Sequence, residues 1–391
     1  MTTINEYKIL DTYSPQNKIR LSEIVLDLYS SNSKLMILGG YSKIDYGNPV
    51  NANTNVIETS NLSNVIDYNP SDLTITVEAG MKMADLTKIL KQNNQFLGYK
   101  LPQLKNSTVG GAISYGYSGN YRFNDIHIRD SIIGIEAVNQ EGKFIKSGGQ
   151  VVKNVSGYDM HKLFIGTNGS FGPLYSVSFK VYPTPSKEIL LAFEYTDLDE
   201  AIRIAQKYVF FNWNIPRLSL YKSSKENHYK LVFNIVGTNQ IVDKIDKMIH
   251  KDSINKSNSE SVDESYINNF GYDIGTDEIY IRFTSHKNDF FKSLAELMEL
   301  RNIQYKLMIN PIFGFSSIII YDDEKSVDNI KKLRQISDDN NVKLFIERGS
   351  LKLKNKFNYK NNDNNLSNLT KLFKNTYDKK HLFSPGKLYD S

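Results

Sequence analysis

The chain has 391 residues, 40% of them hydrophobic and 23% charged, with a formal net charge of +5 and no cysteine. That length supports two or three domains, and no lysine–arginine block tracks a nucleic-acid backbone. Disulfides, thiolate nucleophiles and cysteine-held iron–sulfur clusters within the chain are excluded.

At the N-terminus, Met1-Thr2-Thr3-Ile4-Asn5-Glu6 lacks the basic and apolar regions of a signal peptide. No apolar run is long enough for a bilayer, so the expected location is cytoplasmic, with attachment through a partner left open. Ile19 to Ser30 has helical periodicity, with Ile24, Val25 and Leu28 on one face. Lys34 to Leu38 is a short buried strand that opens into Gly39-Gly40-Tyr41-Ser42-Lys43, and Tyr46 to Pro49 makes a second turn. A strand ending in such a turn can present amides and a hydroxyl to a phosphate, although a glycine pair is often only a turn. Val56 to Thr59 and the alternating Leu73 to Gly80 are strands, and Met83 to Asn93 is a helix with Leu86, Ile89 and Leu90 inward. These make a first α/β subdomain of about a hundred residues.

Glycine then becomes dense. Ser107-Thr108-Val109-Gly110-Gly111, Ser118-Gly119-Asn120, Gly148-Gly149, Val152 to Asp159 and Gly166 to Gly172 follow one another, separated by apolar runs such as Ser131 to Val138. Turns of this kind let backbone approach something flat, long and anionic, and a bound nucleotide is the natural reading. Leu174 to Tyr182 is a long alternating strand, and Pro183 and Pro185 close the domain.

Beyond residue 186 the order is strand (Ile189 to Tyr195), helix (Leu198 to Phe210), two strands (Arg217 to Tyr221, Tyr229 to Val236) and helix (Gln240 to His250). After a polar linker, Lys251 to Tyr266, a similar order returns. It runs strand Glu278 to Thr284, helix Phe290 to Arg301, strands Gln304 to Ile309 and Phe315 to Tyr321, helix Ser326 to Ser337 and strand Val342 to Ile346. Two β-α-β-β-α, ferredoxin-like units sharing one antiparallel sheet are expected, with helices on one face. Asn355 to Asn368 is rich in Asn and Lys and reads as a mobile loop. A helix, Leu366 to Tyr377, leads to an extended tail, Leu382-Phe383-Ser384-Pro385-Gly386-Lys387-Leu388.

Gly-Gly-Tyr-Ser-Lys, Thr-Val-Gly-Gly, Lys-Asn-Val-Ser-Gly-Tyr-Asp, Gly-Thr-Asn-Gly-Ser-Phe-Gly and the closing Phe-Ser-Pro-Gly-Lys occur here in that order. Together they resemble the FAD-binding domain of the vanillyl-alcohol-oxidase/PCMH flavoprotein superfamily. Val152 to Asp159 is most similar to the smaller flavin subunit of bacterial glycolate oxidase. By motif the resemblance covers residues 35 to 185 and, more weakly, the tail; in the later part it rests on element order. It implies an α+β protein with three parts. Residues 1–185 would be a two-subdomain PCMH-type FAD-binding domain (about 1–100 and 101–185), and 186–354 an antiparallel-sheet cap. A loop, helix and tail at 355–391 would return to the first domain.

The resemblance further implies FAD between the subdomains, its reactive ring toward the cap. Leu38, Gly39, Gly40, Tyr41, Ser42 and Lys43 would wrap the pyrophosphate with Thr108, Gly110 and Gly111, and Pro102 and Ser107 would also contact the cofactor. Ser118 and Gly119 would touch the ribityl region, Gly157 and Tyr158 would pass the flavin, and Gly166, Gly169 and Gly172 would approach the adenosine. Leu38 stands where many relatives have arginine, Tyr41 where the subgroup has glycine and covalent flavoproteins have histidine, and Phe171 where a smaller residue is usual. With no His or Cys in that loop, FAD is expected to be non-covalent.

Oxidising a small 2-hydroxy acid such as glycolate or D-lactate needs a cation for the carboxylate and a base for the hydroxyl proton. Arg217, Arg282 and Arg348 are the candidate cations; Arg348 is preferred among them because it follows the last cap strand, although an ion pair with Glu347 or another carboxylate is the commoner role for such an arginine. His381 is the preferred base among six histidines, none of which has metal-ligand spacing, so no metal site is expected. Tyr115 and Tyr158 are further hydrogen-bond candidates. Two other readings remain open: a non-catalytic FAD-binding scaffold subunit, and a sugar or alditol oxidase. The expected partners are a small-molecule substrate and, in a complex, a second flavin subunit and an iron–sulfur subunit.

Overall fold

The structure is a computed structural model that describes all residues except 1, 5–6, 51–52, 100–101, 103–105, 117–126, 150–158, 212–213, 254–263, 273, 286–302, 312–313, 358–363 and 389–391. The chain forms two compact units. One comprises residues 1–118, 126–184 and 358–391, the other 119–125 and 185–357.

The first unit contains two main sheets. Strands β1 (Thr2–Ile4), β2 (Tyr7–Tyr13), β3 (Leu35–Leu38) and β4 (Thr54–Glu58) are ordered β1-β2-β4-β3, with β2 and β3 both parallel to β4. Helix α1 (Lys18–Ser30) begins where the Asn17 side chain accepts from the Arg20 amide, a local N-cap. It buries Leu21, Ile24, Val25 and Leu28 with Leu35, Ile57 and Phe383, as its 3.6-residue apolar spacing requires.

The second sheet joins β5 (Val65–Asn69), β6 (Thr74–Glu78), β8 (Ile132–Val138), β9 (Phe144–Gly148) and β10 (Leu174–Lys180) in the antiparallel order β5-β6-β10-β8-β9. A two-stranded ribbon pairs β7 (Gln95–Phe96) with β11 (Tyr182–Pro183). Helices α2 (Met83–Lys91), α3 (Val109–Tyr115) and the short α4 (Ile128–Ser131) complete this layer. Ile75, Val77, Ile135, Val177 and Phe179 pack with Leu86, Leu90, Val109 and Ile113 in one core. The opposite face of β6 is polar yet buried, and it is satisfied: the hydroxyls of Thr76 and Ser178 meet at 2.7 Å, and Glu78 accepts from the Asn64 amide at 2.7 Å. Because β5 and β6 hydrogen-bond into the sheet of β8–β10, sheet membership changes between residues 58 and 65, not near residue 100 as the order of elements suggested. Pairing across about a hundred residues leaves no local trace in sequence.

The second unit is a seven-stranded antiparallel sheet of β12 (Lys187–Tyr195), β13 (Arg217–Ser223), β14 (Tyr229–Gly237), β15 (Glu278–Thr284), β16 (Tyr305–Asn310), β17 (Phe315–Tyr321) and β18 (Lys343–Arg348). Its order is β12-β14-β13-β16-β17-β15-β18. The two halves mirror one another about the β13–β16 seam, where Leu220 pairs with Ile309, and β18 is added at the far edge. Helices α5 (Leu198–Lys207), α6 (Asn239–Asp252), α7 (Glu264–Asn268) and α8 (Ser326–Asp339) belong to this unit, while the expected helix at Phe290 to Arg301 lies outside the described residues. Part of the expected loop at 355–368 is helical instead: α9 (Leu351–Lys356) ends within it and α10 (Asn364–Tyr377) starts there.

After α10 the tail rejoins the first unit. The Leu35 amide donates to Leu382 O at 2.9 Å, the Ser384 amide to Leu35 O at 2.7 Å, and Phe383 bridges Leu35 in parallel. The tail thus runs beside β3 like an added strand, joined to it by a single parallel bridge at Phe383.

Candidate functional site

The groove of interest lies wholly in the first unit. Its lining comes from β3 and the turn after it (Met36 to Ile44), from Thr59 and Ala79, and from α3 (Thr108, Gly110, Gly111, Ser114, Tyr115). Asn168, Gly169, Leu174 and Lys387 complete it. It encloses about 760 Å³ of space free of protein atoms, its solvent-filled mouth included.

The two glycine turns explain how the walls meet. A Cβ on Gly39 would sit 2.1 Å from Thr108 Oγ1, and one on Gly40 only 1.6 Å from Asn106 O. Both glycines are therefore required for packing turn against turn. Ser42 and Ser107 seal the same junction, with their hydroxyl oxygens 3.2 Å apart. Gly111 differs: a Cβ there would meet only Thr108 Oγ1, at 3.1 Å, and the residue lines open groove. The amides of this stretch are already engaged. Val109 N donates to Met81 O (2.8 Å), Gly110 N to Ala79 O (2.6 Å) and Gly111 N to Thr108 Oγ1 (3.2 Å). The amides of Val109, Gly110 and Gly111 are thus spent within the fold. What this wall offers is close backbone approach and the hydroxyl groups of Thr108 and Ser114.

Tyr41 occupies a left-handed conformation, φ +58°, which explains why glycine suits this place in the turn. Burial, and secondarily the Glu58 carboxylate to which its hydroxyl bonds, push the Tyr41 phenol above its ordinary pKa. Lys43 Nζ stands 5.4 Å from the Tyr46 ring centre and 5.9 Å from that of Tyr115, two rings that meet edge-on.

The remaining sequence-selected residues divide. Gly169 (φ +77°) lines the groove, and a Cβ there would press on Ile37 and Ser384. Pro102, Ser107, Gly166 and Gly172 lie outside its lining. Gly172 has a purely local reason, since its Cβ would fall 2.3 Å from Val138 O; Gly166 sits against Gly116, whose own Cβ would lie 2.7 Å from Gly166 Cα. Ser118, Gly119, Gly157 and Tyr158 lie outside the described residues.

Lys387, Asn168 and Ser114 were missed by motif reading. The signal available for Lys387 was the Pro385-Gly386 turn preceding a cation in the tail. Its ammonium is buried and donates to Ile44 O and Tyr46 O, each at 3.0 Å.

His381 sits in the turn before the tail strand, at φ +54°, and its amide donates to Asp378 O at 2.9 Å; it is not among the groove-lining residues. In the second unit, Arg348 Nη1 donates to Ile274 O at 2.7 Å. Glu347, weighed above as a partner for Arg348, instead pairs with Arg282 at 2.6 Å, both side chains being largely buried. Arg217 is buried and bonds Asn268.

Comparison with known proteins adds three findings. Residues 12–148 match the family described as the FAD binding domain. The chain is 32% identical over 183 residues to the glycolate oxidase subunit GlcE of Escherichia coli, covering 46% of this chain and 51% of that protein. It is 31% identical over 147 residues to the glycolate oxidase subunit GlcD of Bacillus subtilis, covering 37% of this chain and 31% of that protein. The chain thus spans about half the length, or less, of these curated relatives. Over 96% of this chain and 77% of the other, the fold matches a solved alkyldihydroxyacetonephosphate synthase at a TM-score of 0.69 and 14% identity.

Proposed function

From the match of residues 12–148 to the FAD binding domain family, we propose that this chain is a flavin-dependent oxidoreductase acting on a small 2-hydroxy acid such as glycolate or D-lactate, alone or within a complex. The observation that carries the reading is the groove: β3, the Gly39–Lys43 turn, α3 and the Gly169 turn converge there, and the matched segment contains its first three walls. The residues fit the cofactor in kind. Gly111 keeps a side chain out of the way, Ser42, Thr108 and Ser114 offer hydroxyls, and Lys43 offers positive charge for phosphates. Bound FAD supplies the two-electron acceptor that such an oxidation needs. The chain's part is to orient, to exclude water and to handle a proton. Arg348 is our candidate for the substrate carboxylate, by the chemistry of its planar fork, and His381 for the hydroxyl proton.

Similarity to the two glycolate oxidase subunits, and to a yeast D-lactate dehydrogenase at 22% identity, supports the substrate class. The test is anaerobic: purified, flavin-loaded chain is mixed with glycolate or D-lactate and its visible absorbance followed. Bleaching supports catalysis by the chain itself. A second reading, a FAD-binding subunit that needs a partner for turnover, is favoured by the relative GlcE being itself a subunit. Flavin that stays oxidised with every hydroxy acid until a partner subunit is added selects that reading, and bleaching by polyols instead selects a sugar or alditol oxidase.

A further inference from the structure

Among the described residues of the tail, Lys387 is the one in the groove wall, 343 positions from Ile44 in the turn it touches. Its side chain is 8% exposed, and it reaches the turn after β3 by donating to the carbonyls of Ile44 and Tyr46. The tail is held in place independently of this contact. Leu382 and Ser384 hydrogen-bond to Leu35 at the start of β3, and Phe383 is fully buried against α1. The groups facing the ammonium are Asp45 in the same turn and, from β2, Tyr7, whose ring centre lies 5.8 Å away. A buried ammonium set in the wall of the groove proposed to hold flavin, and tied to the loop forming that groove, has more to do than fill space.

We propose that the C-terminal tail is an integral wall of the flavin site, and that Lys387 is its cation: it fixes the 39–47 turn and supplies the positive charge for the cofactor's phosphates. This rests on the proposed flavin binding and assigns a cofactor-binding role to a residue outside residues 12–148. Burial pulls the pKa of Lys387 down to about 8, and Asp45 pulls the other way. A phosphate favours the charged ammonium, so flavin binding takes up a proton there and affinity falls as pH rises through about 8. The neutral amine keeps two N–H donors for the two carbonyls, so the turn itself survives deprotonation.

The test is equilibrium titration of apoprotein with FAD, following flavin fluorescence, for wild type, Lys387→Met and Lys387→Arg, at pH 7 and about 9.5. Wild type is expected to bind about tenfold or more weakly at the higher pH. Lys387→Met is expected to lose at least tenfold at pH 7 and to show no pH dependence, while Lys387→Arg retains pH-independent binding. A Lys387→Met protein with wild-type affinity overturns the proposal. Should that variant fail to fold, the wild-type titration decides alone: an affinity flat across this range overturns it. Wild type that takes up no FAD at any pH instead removes the proposed function, so the two failures are distinct.

Discussion

Replacing Asp378 by Ala tests whether the tail is clamped as described. Asp378 is fully buried, and its carboxylate accepts from Lys374 Nζ at 2.7 Å, from the Leu382 amide at 3.0 Å and from the Phe383 amide at 2.8 Å. Lys374 Nζ also donates to Ser170 O at 2.8 Å and Phe383 O at 2.6 Å, so one ion pair joins α10, the tail strand and the 166–172 turn. Removing one partner of a buried pair leaves the other charged and unmatched, at a cost of about 3–5 kcal/mol. For a unit of this size that lowers the melting temperature by about 10 °C. Lys374 already has its pKa lowered by burial and partly restored by Asp378, so the variant drives it lower still. A lysine with a depressed folded-state pKa gives stability that rises with pH, so part of the loss is regained above neutrality. Differential scanning calorimetry at pH 7 and about 9.5 measures both effects. Asp378→Ala melting within about 1 kcal/mol of wild type at pH 7 refutes the clamp. The double variant Lys374→Met/Asp378→Asn is expected to lose less than Asp378→Ala alone, because no charge is left unmatched.

Other predictions follow from single observations. Gly40→Ala places a methyl 1.6 Å from a backbone oxygen, so it is expected to abolish flavin retention, whereas Gly111→Ala folds normally and weakens FAD about tenfold by filling open groove; circular dichroism with FAD titration separates the two. His161 is buried, and burial first of all lowers its pKa below 6.5, so the folded state resists protonation. Stability of the first unit is therefore lost as pH falls through about 6.5, and His161→Gln is expected to flatten that slope in a pH series of thermal melts. In the second unit, Glu347→Ala removes the buried carboxylate paired with Arg282 and is expected to cost about 3 kcal/mol, while Arg348→Ala, which loses the bond to the Ile274 carbonyl, is expected to cost about 1 kcal/mol; urea unfolding compares them.

Local pattern was enough for much of the fold. The runs Glu278–Thr284 and Phe315–Tyr321 form strands with the bounds their β-branched and aromatic residues suggest, and α1 starts within a residue of the expected place. What escaped has physical causes. β5 is an edge strand whose Val65 and Ile66 are exposed, so it carries no inward alternation to read. In β2 only Tyr7 and Ile9 face the core. Gly39, Gly40, Gly110, Gly111 and Gly169 line the groove while Gly166 and Gly172 do not, and sequence cannot tell a glycine beside open groove, such as Gly111, from one that admits another turn, such as Gly40 or Gly172. Lys387 was illegible as a site residue because its position depends on a tail strand pairing with β3 across the whole unit.

The central claim is that the turns of the first unit together hold FAD. Its most direct test is flavin stoichiometry: the full chain is purified, or reconstituted with FAD, scanned in the visible range and precipitated with acid. The account predicts about one FAD per chain, released into the supernatant because the chain has no cysteine and no histidine lines the groove among the described residues. A chain that folds yet binds no flavin when FAD is supplied in excess contradicts it.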